Sequence, residues 1–347
     1  MTKPVVLLDP FPRQRQRIFN AAQWERLSAM AEIIEDEQGP MRDSLVEARL
    51  PEAVAIIGQT ALPTARVERA AKLRAVLNVE GNFYQNIDYH ACLARGIAVL
   101  SIAPAFAVPV AEMVLALALD LARGITAADG AVRAGRERYG LAGNADALLI
   151  SEARVGLIGY GNIGRALRRL LNGFAADIQV YDPWFPDNVL RAEQVRPADL
   201  GTVLSTSRFL FILAGVTSDN QGFLGRPELE RIGRDSVVVL GSRAGVVDFE
   251  AFVDLANAGR FRGATDVFPA EPIGVGDPVR QSRLLLSPHR AGGIPAAMEM
   301  IGEMVLDDLG LVLRGLPPQR MQPARWETVC KMRSPPAQGG HPTDEKD

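Results

Sequence analysis

Only two cysteines, Cys92 and Cys330, occur in 347 residues. They have neither the count of a disulfide framework nor the spacing of zinc ligands, so no metal centre is expected and a reducing compartment fits best. Histidine is scarce as well, with three copies, so each can be weighed singly. No excess of charge exists: 38 basic residues against 41 acidic ones leave a formal net charge of −3. That balance removes the electrostatic basis for binding nucleic acid. The first nine residues, Met1 to Asp9, lack the apolar core of a signal peptide. The longest apolar run, 108–121, is broken by Glu112 and Asp120, is too short to span a bilayer, and reads as a buried helix. A cytoplasmic protein with neither nucleic-acid nor membrane partners is expected.

What is present is the composition of a globular protein, 48% apolar and 23% charged, at a length that suits about two domains. Strand-like runs at 4–8, 53–57, 75–78 and 97–100 alternate with helical stretches at 19–31 and 67–71, a pattern of parallel strands and crossover helices. A helix is predicted from Pro109 to Gly124, with proline in its first turn and glycine just past its end, and again from Pro295 to Gly315. Between them lie six strand candidates, 153–158, 178–182, 209–214, 237–240, 264–267 and 284–287, which match a doubly wound sheet. This order predicts a discontinuous first domain, 1–105 plus 292–330, around a second at 106–291, with a cleft between them. Residues 331–347, which include Ser334-Pro335-Pro336 and His341, have no apolar periodicity and are expected to be a disordered tail.

The stretch Val155 to Leu167, VGLIGYGNIGRAL, reads as strand, then Gly159-x-Gly161-x-x-Gly164, then helix. A bare glycine pattern is weak, but here the following strand also ends in Asp182, 18 residues after Gly164. The glycines allow a pyrophosphate to approach the backbone at the positive end of the helix. Asp182 suits the ribose hydroxyls and repels a 2′-phosphate, so NAD is expected over NADP.

Arg243, Glu271 and His289 each follow a strand candidate in the same half of the chain. If those strands share one parallel sheet, all three emerge at its carboxyl edge, where such sheets bind ligands. Arg243 sits in Gly241-Ser242-Arg243-Ala244-Gly245, too small a segment to bury a guanidinium by packing, and its planar fork suits a carboxylate. His289 lies in the rigid Ser287-Pro288-His289-Arg290-Ala291-Gly292-Gly293, an unusual place for a core histidine. A carboxylate partner such as Glu271 favours the imidazolium and makes a pair able to give or take a proton. His90, in a helical stretch before a strand, reads as structural.

At these residues the chain resembles the D-isomer-specific 2-hydroxyacid dehydrogenases. The resemblance covers about residues 50–316 and rests on VGLIGYGNIGRAL, on GSRAGVVDFEAF from Gly241, on DVFPAEP from Asp266 and on LLLSPHRAGG from Leu284. It implies an α/β fold of two domains: a doubly wound Rossmann nucleotide-binding domain inserted into a smaller flavodoxin-like substrate domain. It implies His289 as acid/base with Glu271 as its partner, and Arg243 on the substrate carboxylate. It also implies cofactor contacts from Gly159, Gly161, Asn162, Ile163, Gly164, Asp182, Gly241, Ser242, Asp266 (to the nicotinamide amide) and Gly292, and a substrate loop at Glu80, Gly81 and Asn82. A small 2-hydroxy or 2-keto acid as substrate and pairing into a homodimer through the nucleotide domains follow from the same resemblance. No regulatory domain is expected after Gly315.

Glu80 departs from the family pattern, because a carboxylate beside the substrate's own is repulsive; it either points away or meets a cationic or hydroxyl-bearing group. Gly215-Val216-Thr217 and the lack of a tryptophan after Gly135 are further departures, which bear on substrate identity. The alternative from another class is an NAD(H)-sensing protein of the corepressor type, against which the intact Arg243, Glu271 and His289 argue. Formate dehydrogenase shares the scaffold, but releasing CO₂ needs no proton transfer and so no Glu–His pair.

Overall fold

The computed structural model describes residues 2–36 and 39–332. The chain forms two compact units, one of Met1–Phe106, Thr217–Asp219 and Gly293–Asp347, the other of Ala107–Val216 and Asn220–Gly292.

Unit one holds β1 (Val5–Asp9), β2 (Glu32–Glu35), β3 (Ala53–Gly58), β4 (Ala75–Asn78) and β5 (Ala98–Ser101). All five pair in parallel, in the order β2-β1-β3-β4-β5, the flavodoxin-like order. Parallel strands covered on both faces are apolar throughout, and β1 shows why. Its Val6 and Leu8 pack with Ile301, Val305 and Leu309 of helix Pro295–Leu313, while Val5 and Leu7 pack with Leu50, Val67 and Cys92 on the other face.

Unit two holds β6 (Arg154–Ile158), β7 (Asp177–Tyr181), β8 (Arg196–Pro197), β9 (Phe209–Ile212), β10 (Val237–Leu240), β11 (Arg262–Thr265) and β12 (Leu285–Leu286). These also pair in parallel, in the order β12-β11-β10-β9-β6-β7-β8. The order reverses beside β6, which makes the sheet a Rossmann type with its switch point at the strand that leads into the glycine loop. Finally β13 (Gln322–Pro323) adds to unit one, antiparallel to β5.

The structure adds strands that the sequence pattern hides. β2, β8 and β13 are edge strands, four, two and two residues long, without fully buried side chains to write an apolar run. The unit boundaries fall after Phe106 and Gly292, one residue beyond the expected ones. Thr217–Asp219 groups with unit one because the Ser218 amide donates to the Lys331 carbonyl (2.8 Å) and Lys331 Nζ pairs with Asp219 (2.6 Å). Lys331 and Met332 are thus bonded segments and not part of a tail; the remainder of the expected tail, 333–347 with His341, lies outside the described residues.

The apolar run expected at 108–121 is longer in the structure. The helical stretch Ala103–Arg123 has 21 residues, enough by length and composition to cross a membrane. Within unit two, however, Val110, Ala111, Val114, Ala118 and Ala122 of helix Ala107–Arg123 are buried, as in a core helix. Gly241, just after β10, is what allows that helix to approach: a Cβ there would lie 2.2 Å from Val114 Cγ1. Gly241→Ala is therefore expected to destabilise the protein by about 1–3 kcal/mol through overpacking, read by denaturant unfolding. Unchanged stability would show that the helix yields at no cost.

Candidate active site

β10, β11 and β12 are neighbours in the second sheet, and the chain leaves each at the same edge. Arg243 follows β10, Glu271 follows β11 and His289 follows β12. His289 Nδ1 meets Glu271 Oε2 at 2.5 Å, with the side chains 31% and 26% exposed. The Phe268 amide donates to the other Glu271 oxygen at 2.8 Å. Burial opposes ionisation of Glu271, but the hydrogen bonds from His289 and Phe268, with the charges of His289 and Arg243, outweigh it and hold the carboxyl below its ordinary range. Glu271 is thus an anion at neutral pH. With Nδ1 bonded to that carboxylate, the neutral imidazole carries its lone pair on Nε2, the nitrogen that a proton transfer would use.

Arg243 donates one hydrogen bond from its guanidinium, Nη1 to its own neighbour's carbonyl, Ser242 O, at 2.8 Å. Its other donors have no protein partner among the described residues. A half-buried cation with an open fork is suited to a carboxylate ligand. The backbone around it is held by Ser242, whose hydroxyl donates to Ala214 O at 2.7 Å. Gly241 and Ser242, expected as cofactor contacts, therefore have packing and bracing roles within the unit.

His289 has a left-handed backbone, φ 49°. This conformation costs a non-glycine residue of order 1 kcal/mol and persists only where neighbours enforce it. The enforcing group is Asp266, 2% exposed and just past β11. Its Oδ1 accepts the Arg290 amide (3.1 Å) and the Ser287 hydroxyl, and its Oδ2 accepts the Ala291 amide (3.0 Å). Asp266 thus clasps the loop on both sides of His289, a positioning role that sequence reasoning misses. Gly292 closes that loop at the end of unit two.

The glycine loop fits a dinucleotide by its own dimensions. Gly159 has φ 96°, and a Cβ there would lie 2.6 Å from Ala214 N, so it makes the tight turn. Gly161 has open space where a Cβ would stand, with nothing within 4 Å, the room a pyrophosphate needs. A Cβ on Gly164 would lie 2.8 Å from Gly159 O, which is the close helix-to-strand approach. These are the three roles that the glycines have in dinucleotide-binding loops. Asn162 opens helix Asn162–Leu171, whose first ladder bond is Arg165 N to Gly161 O, so the Ile163 and Gly164 amides precede the ladder at its positive end. Asp182 accepts the Tyr160 amide (2.7 Å) and the Trp184 amide (2.9 Å), one on each oxygen. That orients the carboxylate and leaves lone pairs for hydroxyl donors.

In unit one, Gly81 and Asn82 follow β4, and Glu80 between them and the strand is paired with Arg13 at 2.7 Å. His90 packs edge-on against Trp326 at 5.5 Å between centroids, a structural contact.

Residues 115–291 match the profile of the D-isomer specific 2-hydroxyacid dehydrogenase, NAD binding domain. The crystal structure of a phosphoglycerate oxidoreductase from Rhizobium etli superposes with a TM-score of 0.86 at 41% identity, covering 94% of this chain and all of that one. A glyoxylate reductase of Korarchaeum cryptofilum is 29% identical across 88% of this chain and 92% of its own length. A D-3-phosphoglycerate dehydrogenase of Archaeoglobus fulgidus is 29% identical over 290 residues, 82% of this chain; the chain spans about half, 54%, of that relative's length.

The clasp makes a measurable claim. Asp266→Asn turns one acceptor into a donor facing a backbone amide, so amide hydrogen exchange at Arg290 and Ala291 is expected to quicken, with a stability loss of about 1–3 kcal/mol. Exchange as slow as in the parent would show that other contacts hold the loop.

Proposed function

The chain belongs to the D-isomer specific 2-hydroxyacid dehydrogenase family, and on that premise we propose that it interconverts a D-2-hydroxy acid and its 2-keto acid with NAD. The observation that carries the reading is the Glu271–His289 pair at one sheet edge, with the Arg243 charge acting on the same carboxylate. Arg243 holds the substrate carboxylate through its open guanidinium donors and so presents C2 in one orientation. His289 takes the hydroxyl proton at Nε2 in oxidation and returns it to the carbonyl oxygen in reduction. Glu271, ionised throughout, stabilises the imidazolium that forms and keeps the ring from turning. NAD, when bound, supplies the hydride acceptor for oxidation and its reduced form the donor for reduction.

The room at Gly161 and the oriented Asp182 support binding of the pyrophosphate and the adenosine ribose. The negative charge of Asp182 supports NAD over NADP, since a 2′-phosphate would face an anion that already has two backbone donors fixing it. Gly81 and Asn82 keep the substrate-loop role that the resemblance implies. A homodimer through unit two is supported by the large apolar side chains exposed along one segment: Ile125, Val132, Tyr139, Leu141 and Leu149.

Substitution of the acid/base tests the reading. His289→Asn is expected to lower kcat by about 10²–10⁴ in NADH-dependent reduction of a 2-keto acid, and parental turnover would refute the assignment. Substitution of the partner tests the pair: Glu271→Gln removes the anion that orients the ring and stabilises the imidazolium formed, so kcat is expected to fall by roughly 10-fold or more in both directions, and parental turnover would mean that Glu271 does not act on His289.

A further inference from the structure

Within unit two, a cation stands in the surroundings of Asp182, and a second carboxylate holds it. Arg165 lies near the start of helix Asn162–Leu171, one residue after Gly164. Its guanidinium carbon is 5.0 Å from the centre of the Phe185 ring and 6.0 Å from that of Tyr160. The two rings meet edge to face at 6.2 Å. Both residues are bonded to Asp182: the Tyr160 amide donates to its carboxylate at 2.7 Å, and the Phe185 amide to its carbonyl at 3.4 Å. A stacked, permanently charged fork in this position suits a 2′-phosphate, because a nearby arginine is how nucleotide sheets of this type accommodate NADP.

Arg165 is nevertheless committed elsewhere. Its Nη2 pairs with Glu193 Oε1 at 2.7 Å. Glu193 stands just past helix Asp187–Ala192, and its amide donates to Val189 O at 3.2 Å and Leu190 O at 3.1 Å, so that helix sets its place. The next residue repeats the arrangement, with Gln194 Oε1 accepting Arg168 Nη2 at 2.6 Å. Residues 193 and 194 thus hold two cations that lie one turn apart on the helix after the glycine loop.

The pair matters for where the charge is available more than for folding. With the side chains 38% and 34% exposed, an ion pair of this kind adds little stability. Stacking already restrains the guanidinium, since the Tyr160 ring is fully buried. What Glu193 adds is a negative charge that cancels that of Arg165 and occupies Nη2. Asp182 and Glu193 against Arg165 leave one net negative charge in these surroundings. Without Glu193 the charges would balance, and the Nη2 donor would be open to an anion.

We propose that Glu193 is a specificity-determining residue for the cofactor: by holding Arg165 it withholds that guanidinium from the 2′-phosphate of NADP, so discrimination in favour of NAD is shared between Asp182 and Glu193. The inference rests on the proposed use of NAD and deepens it.

The test measures dissociation constants of NADH and NADPH by isothermal titration calorimetry, without substrate and at one fixed ionic strength. The parent protein is expected to bind NADH more tightly than NADPH. Glu193→Gln removes the charge at nearly constant size, so NADPH is expected to bind roughly 10-fold more tightly, the effect of one hydrogen bond to a charged group, with NADH unchanged within about twofold. Arg165→Met alone is expected to keep the parental ratio, because the cation is already withheld. Added to Glu193→Gln, it should cancel the gain, a coupling that a merely structural role of either residue would not produce. Glu193→Ala repeats the test if circular dichroism shows the glutamine variant unfolded. Unchanged NADPH affinity in a folded Glu193 variant, or a gain that persists without Arg165, overturns the role of Glu193, and NADH binding then leaves the proposed function standing. A parent that binds neither cofactor defeats both.

Discussion

The parallel pairing of β10 with β11 and of β11 with β12 is the constraint on which the site depends. Parallel strands all end at the same edge, so residues far apart in sequence are delivered together without any loop having to reach for another. Arg243, Glu271 and His289 come together because each is the short continuation of one of three adjacent strands. The strands are held by burial: all four residues of β10 are fully covered, and so are three of the four in β11. The chemistry at the edge is therefore supported by an apolar sheet that carries no ionisable group in its centre.

The second requirement is electrostatic order at that edge, and two carboxylates divide it. Asp266 is turned inward and spends its lone pairs on the backbone of the loop after β12. Glu271 is turned to the imidazole and kept ionised by donors that outweigh its burial. One fixes where His289 stands and the other fixes which nitrogen carries its proton. The same division recurs at the nucleotide loop, where Asp182 is oriented by two amides before any ligand arrives. Preorganisation of this kind spares the ligand the cost of ordering the groups that receive it.

Much of this is legible in the sequence, for definite reasons. Central strands such as β3, β4 and β10 write continuous apolar runs because both faces are covered, whereas β2, β8 and β13 at or near the sheet edges do not. The glycine loop is legible because Gly159 and Gly164 stand where a Cβ would collide with backbone, while Gly161 keeps open space beside the helix start. The Arg243, Glu271 and His289 set is legible because each residue breaks an apolar run at a strand end. What the sequence hides are the contacts between distant positions. Asp266 and Ala291 are 25 residues apart and Arg13 and Glu80 are 67 apart, so neither the clasp nor the pairing of Glu80 has a local signal. Glu80, a departure from the resemblance, is paired with Arg13. Register and clustering decide such contacts, and they exist only once the sheets are formed.

The central claim is that the edge of the second sheet reduces a carbonyl held by its neighbouring carboxylate. The most direct measurement is NADH oxidation by the parent protein with a 2-keto acid and with the neutral methyl ketone of the same length, at equal concentrations. The account predicts rapid turnover of the keto acid and little of the ketone, because only the acid engages Arg243. Equal rates on both, or tight NADH binding with turnover of neither across several keto acids, would contradict it.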